Sequence, residues 1–322
     1  MNVIEIRDPQ SGSAAKIAVD LGFNCYAFRS MIAPDVGVDV LEAADDFPQG
    51  VHRPSARGIP LLFPYPNRIA RGRYEWNGRS YHIPADRAGH DPNGNAIHGF
   101  CLDRPWRVID RGPSHVTGQF QLSVDAPDRR DLWPADFVIE VCYTVKASSL
   151  RADIRIVNPS DQPLPWGFGT HPYFQLPLSP SSQSEQCLIE VPCAERWELI
   201  DCLPTGRRLP VDEKTDLREG EYYGLAKFDD VLTGMPQGVR EQTTSIWDEP
   251  AGLRVVQRCD AIFREIVVYT PPGRSAVCLE PYTCVTNAVN LPGGESATGW
   301  RTLAPGEELR TWIDIACERI VA

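Results

Sequence analysis

Three short segments each set a proton-transfer side chain beside a residue that interrupts regular structure: Asn95-Ala96-Ile97-His98-Gly99-Phe100, Gly169-Thr170-His171-Pro172-Tyr173-Phe174 and Leu279-Glu280-Pro281-Tyr282-Thr283. His98 precedes a glycine, while His171 and Glu280 each precede a proline, whose ring disfavours helical backbone at the preceding residue. All three are therefore expected at loop edges. Two imidazoles and a carboxylate held in this way are the parts of an acid/base site. A lone histidine in a turn is more often a hydrogen-bonded structural residue, so it is the set that points to chemistry. A fourth segment, Gly58 to Ile69, carries Asn67 and Arg68 after an apolar stretch punctuated by Pro60, Pro64 and Pro66. In so rigid a setting Arg68 reads either as a fixed donor fork or as an ion pair closing a loop.

The elements that must position these groups read as strands. Phe137, Ile139, Val141, Tyr143 and Val145 alternate with more polar residues, and Leu150, Ala152, Ile154 and Ile156 repeat the period after a connection at Lys146 to Ser149. Such alternation predicts a hairpin with one buried face. Leu309 to Ile315 predicts another strand, Ile262 to Thr270 a longer one, and Ala276 to Leu279 a short buried strand ending at Glu280. The 29 prolines break potential helices and suit short strands joined by many loops. The expectation is an all-β chain, residues 1–322 forming a single domain, with Pro177 to Gln186 a loop too short to mark a boundary.

Composition narrows the partners. With 42% hydrophobic and 23% charged residues, the chain can bury a large core. A formal net charge of -11 repels nucleic acid and anionic membrane surfaces, so a neutral small molecule is the expected partner, with no nucleic acid and no membrane. The N-terminus lacks the pattern of a signal peptide and no run reaches transmembrane length, which predicts a cytoplasmic protein. The ten cysteines are scattered singly, reading as reduced, mostly buried thiols, and no zinc-ligand spacing is visible.

The blocks GIPLLFPYPNRI, GRYEWNG from Gly72 to Gly78, NAIHGF, WGFGTHPYF, FDD from Phe228 to Asp230, LEPYT and LAPGEEL occur in the order found in the aldose 1-epimerase (galactose mutarotase) family. The chain resembles that family over most of its length. The resemblance implies a β-supersandwich with an open concave cleft, interconversion of the α and β anomers of a free aldose monosaccharide, and no metal or organic cofactor. By position in these blocks it implies Glu280 as general base, His171 as general acid, His98 as a second site histidine, and Asn67 with Arg68 as sugar-binding residues. It implies a sugar-binding aspartate at Asp229 or the adjacent Asp230, with Asp229 the direct match. Gln175 stands where asparagine is common in galactose-processing members.

Two rival readings accompany this one. A hexose-6-phosphate 1-epimerase would use the same acid and base and add phosphate donors, for which Arg53, Arg57, Arg71, Arg73 and Arg79 flank the Asn67-Arg68 segment. A carbohydrate-binding protein without catalysis would use the same fold. Neighbouring Glu280 and Asp229 are expected to favour the charged form of His171. Tyr65, Trp166, Tyr173 and Tyr282 are candidate platforms for the sugar's C–H face.

Overall fold

A computed structural model describes residues 2–224 and 227–320. The predicted hairpin forms as strands Val138–Lys146 and Ser149–Val157, with Lys146 opposite Ser149 across a two-residue turn. Ile139, Val141, Tyr143 and Val145 are all at most 1% exposed, and the register sets them against Ile156, Ile154, Ala152 and Leu150. Burying each large apolar side chain of this kind contributes about 1.5–3 kcal/mol, so the alternation itself fixes which face turns inward.

The hairpin lies within a nine-stranded antiparallel sheet, where Glu308–Arg319 joins it to Leu253–Asp260 and Glu241–Asp248. An eight-stranded sheet runs in the order Leu203–Pro210, Glu195–Ile200, Asp229–Thr233, Glu265–Tyr269, Ala276–Tyr282, Gly169–Thr170 and Leu61–Leu62, with Tyr173–Gln175 also pairing to Ala276–Tyr282. A four-stranded sheet covers residues 3–39. A continuous apolar core spans both large sheets: Phe63 meets Phe137 edge-on at 4.7 Å, and the Gln257 side chain of the larger sheet donates to the Leu279 carbonyl of the smaller at 3.0 Å. The α-helices among the described residues have four and five residues, as the proline content implies. No described helix is long and apolar enough to cross a membrane.

One strand departs from expectation. The run beginning at Ala276 does not stop at Glu280 but continues to Tyr282, with Pro281 opposite Ile266. The reason is on its other flank, where Tyr173 pairs with Cys278 and Gly169 with Tyr282, but the ladder is broken between them. Pro281 offers no N–H and sits where none is required. The same break contains His171 and Pro172, and the shared register leaves His171 across from Glu280.

Candidate functional site

Period-two geometry turns Val277 and Leu279 into the core and Cys278 and Glu280 to the opposite face, with Tyr282 buried at the strand's end. Glu280 is 2% exposed, and its carboxylate accepts a hydrogen bond from the Tyr282 hydroxyl. His171 Nε2 lies 3.2 Å from Glu280 Oε1. The His171 ring stacks on Tyr173 at 4.7 Å and 12°, and the edge of His98 meets it at 5.6 Å. Gly169 makes room for this layer: a Cβ there would stand 2.2 Å from Tyr282 Cδ1.

Asn67, Arg68 and His98 come from a separate two-residue ladder, Arg68–Ile69 with Ala96–Ile97. Asn67 and His98 both take left-handed backbone, φ 53° and 66°, and the His98 N–H donates to the Asn67 carbonyl at 2.8 Å. This turns both side chains sharply out of the strand direction, at a cost L-residues accept only where surrounding structure enforces it. Gly99 follows at φ 77°, where a Cβ would stand 2.1 Å from the Phe63 carbonyl oxygen. Arg68 is fixed from two sides, with Nε donating to Asp91 at 2.7 Å and Nη1 to Asn67 Oδ1 at 2.8 Å. Both readings of Arg68 hold at once, because the ion pair orients a guanidinium that still lines the cavity.

The six residues singled out in the sequence, Asn67, Arg68, His98, His171, Asp229 and Glu280, line one cavity of about 250 Å³, with Ser55, Tyr173 and Tyr269 among the remaining walls. Asp229 is on that wall and Asp230 is not, as alternation along Asp229–Thr233 requires. Past Arg68 and His98 a second cavity of about 470 Å³ adjoins, lined by Arg53, His90, Asp91, Leu102 and Asp103 among others. Of the five arginines considered for phosphate, Arg53 lines this second cavity. Arg57 is paired to Glu42, and Arg71, Arg73 and Arg79 are exposed and line neither.

Three expectations are corrected. Burial dominates His171 and holds it at about 3, so the site favours the neutral imidazole rather than the charged one. The same desolvation drives Glu280 well above the usual carboxylate range, although the Tyr282 hydroxyl opposes it, and drives His98 far below the usual imidazole range. The attraction between opposite charges 3.2 Å apart works against both shifts, so the His171–Glu280 pair is best described as sharing one proton. Secondly, Tyr65, Trp166 and Tyr282 are fully buried, leaving Tyr173 and the unforeseen Tyr269 as the aromatic walls. Thirdly, the fold assembles a set of metal-ligand types where linear spacing showed none: His171, Cys278 and Glu280.

Asp91 was also missed. Its signal was the run Asp91-Pro92-Asn93-Gly94-Asn95, a turn in which the aspartate accepts the backbone N–H of Asn93 and Asn95 at 2.9 Å each. Burial opposes ionisation of Asp91, but hydrogen bonds from Asn95 and Arg68 prevail and hold it below the usual range. The Nδ1 atoms of His98 and His171 are buried without a partner, unused hydrogen-bonding capacity at the cavity.

Comparison with known proteins agrees with this architecture. The structure superposes on a galactose mutarotase-like protein from Clostridium acetobutylicum with a TM-score of 0.87 at 22% identity, covering 99% of each chain. An aldose epimerase homologue from C. elegans gives 0.80 at 19% identity, again over 99% of each. These likenesses establish the galactose mutarotase-like β-supersandwich. In sequence, the uncharacterized protein YihR of Escherichia coli is 24% identical over 237 residues, 71% of each chain. Rat galactose mutarotase is 29% identical over 161 residues, which is 48% of this chain and 43% of that enzyme. The family pattern of aldose 1-epimerases matches residues 29–316, from within the four-stranded sheet to near the end of the last long strand. With fold and sequence in agreement over nearly the whole chain, the protein belongs to the aldose 1-epimerase family.

Proposed function

We propose that this protein is an aldose 1-epimerase that interconverts the anomers of a free aldose such as glucose or galactose, working as one cytoplasmic catalytic domain without a cofactor. The observation that carries this reading is the buried His171–Glu280 pair, 3.2 Å apart on the wall of a cavity of about 250 Å³. Glu280 takes the proton of the C1 hydroxyl while His171 gives one to the ring oxygen, O5. The C1–O5 bond breaks, the open aldehyde forms, and rotation about C1–C2 presents the other carbonyl face for closure. Well-placed acid and base groups each contribute about 10²- to 10⁴-fold.

The proton balance suits the burial. Ring opening converts carboxylate and imidazolium into carboxylic acid and imidazole, the distribution that desolvation favours at both groups. The open-chain complex is thereby stabilised relative to the charged pair that starts the reaction, and reclosure moves the same two protons back. Arg68, Asn67 and Asp229 hold the hydroxyls, His98 steadies developing charge near the ring, and Tyr173 and Tyr269 face its C–H surface. Of the five flanking arginines only Arg53 reaches a cavity wall, in the adjoining cavity, so the cavity that holds His171 and Glu280 carries Arg68 as its one arginine among the described residues, which supports the unphosphorylated sugar over the 6-phosphate.

Polarimetry of freshly dissolved α-glucose, α-galactose and glucose 6-phosphate tests the reading. Acceleration of either free sugar is the expected result. Acceleration of the phosphate alone would favour the rival epimerase, and sugar binding with no acceleration would make the protein a carbohydrate-binding module.

A further inference from the structure

Cys278 takes no part in the proton transfers above, yet it belongs to the same layer of the sheet. Its register partner is Tyr173, two residues from His171, and it is two residues from Glu280 on the same strand face. One nitrogen of His171, the thiol sulfur and one carboxylate oxygen of Glu280 all lie within 4.8 Å of one another, and all three residues are buried. We infer that this layer is a three-ligand site for a thiophilic divalent cation, zinc above all, and that zinc occupancy shuts the enzyme off.

Zinc bonds to sulfur at about 2.3 Å and to nitrogen or oxygen at about 2.0–2.2 Å, so tetrahedral ligand atoms stand about 3.3 to 3.8 Å apart. His171 Nε2 and Glu280 Oε1, at 3.2 Å, already approximate that spacing. From within 4.8 Å the sulfur needs to approach by no more than about 1.3 Å. A thiolate, an imidazole and one carboxylate select zinc or cadmium over magnesium or calcium, which prefer oxygen cages. The two ligands that line the cavity leave the fourth position to a water on the cavity side. On binding, the S–H and any proton on Glu280 pass to solvent as the metal bonds form, with no change of oxidation state. The metal then occupies the imidazole lone pair and the carboxylate that ring opening requires, so sugar and zinc exclude one another.

The inhibition readout rests on the proposed epimerase activity; direct metal binding does not, and the two are measured separately. Co2+ added to the metal-free protein is expected to give a thiolate-to-cobalt charge-transfer band in the near ultraviolet that saturating sugar suppresses. Zn2+ is expected to slow mutarotation, with relief by excess sugar and by EDTA, while Mg2+ has no effect. Cys278→Ala and Cys278→Ser are expected to keep the basal rate within about threefold, to lose the cobalt band, and to need at least tenfold more Zn2+ for equal inhibition. Absence of a sugar-sensitive band in the wild-type protein would overturn the proposal even if neither variant folds. So would Zn2+ inhibition that is unchanged in both variants. Absence of mutarotation with a normal cobalt band would instead remove the functional reading and leave the metal site standing.

Discussion

Glu280 and Arg68 line the same cavity but are expected to fail differently when replaced. Glu280→Gln keeps the side-chain shape yet cannot accept the C1 proton, so kcat should fall at least about a hundredfold with sugar binding retained. Arg68→Ala removes a charge-assisted donor from the cavity and leaves Asp91 without its ion-pair partner, so KM should rise as well. Steady-state kinetics of the two variants make the comparison, and equal KM in Arg68→Ala would return that residue to a purely structural role. The proposed acid/base pair also sets a pH profile. Its doubly protonated form appears only in acid, because burial holds His171 at about 3, and its last proton leaves only above the usual carboxylate range, because burial raises Glu280. The expected kcat profile is a broad bell: an acidic limb lying below the ordinary imidazole range, a plateau through neutral pH, and both limbs belonging to the pair. A single sharp limb near pH 6.5, the value of an unperturbed histidine, would contradict the shared proton.

At the scale of elements, the broken ladder explains what could be read in advance. His171-Pro172 announced a real interruption, Glu280-Pro281 suggested one that the strand instead runs through, and the alternating strands around them were plain, so the residues of the candidate site were legible from their types and neighbours. Their meeting was not, because it depends on Gly169 pairing with Tyr282 and Tyr173 with Cys278 more than a hundred residues away in the chain. Cys278 escaped for the same reason: its relation to His171 exists only across the sheet. Tyr65 and Trp166 were misjudged because a single aromatic in a proline-rich run carries no sign of which side it faces. Gly169→Ala tests the element directly. The new methyl would collide with the Tyr282 ring, so about 1–3 kcal/mol of stability should be lost and kcat should drop, since Tyr282 holds Glu280. Thermal unfolding and mutarotation assays check both halves, and an unaffected kcat would mean that the Tyr282 contact does not position the base.

For the molecule as a whole, one pH-linked liability lies outside the cavity. Glu265 is fully buried, and desolvation raises it to about 7 against opposing hydrogen bonds from Thr233 and Trp197 and the charge of Arg264. A folded-state value above the unfolded one means that this group's contribution is fully present below about pH 4.5 and is lost as pH rises through 7. The loss amounts to at most about 3 kcal/mol by pH 8.5. Glu265→Gln removes the titration, so its melting temperature relative to the natural protein should improve steadily between pH 5 and pH 8.5. A gap that stays constant across that range would show that Glu265 remains ionised in the fold.

The proposed acid/base pair and two of the proposed sugar-holding residues, Asn67 and Arg68, occupy different pieces of the protein, while Asp229 shares the eight-stranded sheet with the pair. His171 and Glu280 belong to one interrupted register within the eight-stranded sheet, whereas Asn67, Arg68 and His98 belong to a two-residue ladder outside it. If the proposed roles hold, heritable variation can act on the two separately: substitutions and loop insertions near residues 67–97 can retune which sugar is welcomed while the His171–Glu280 pair passes unchanged from ancestor to descendant. A lineage built on this scaffold can diversify its diet without reinventing its chemistry.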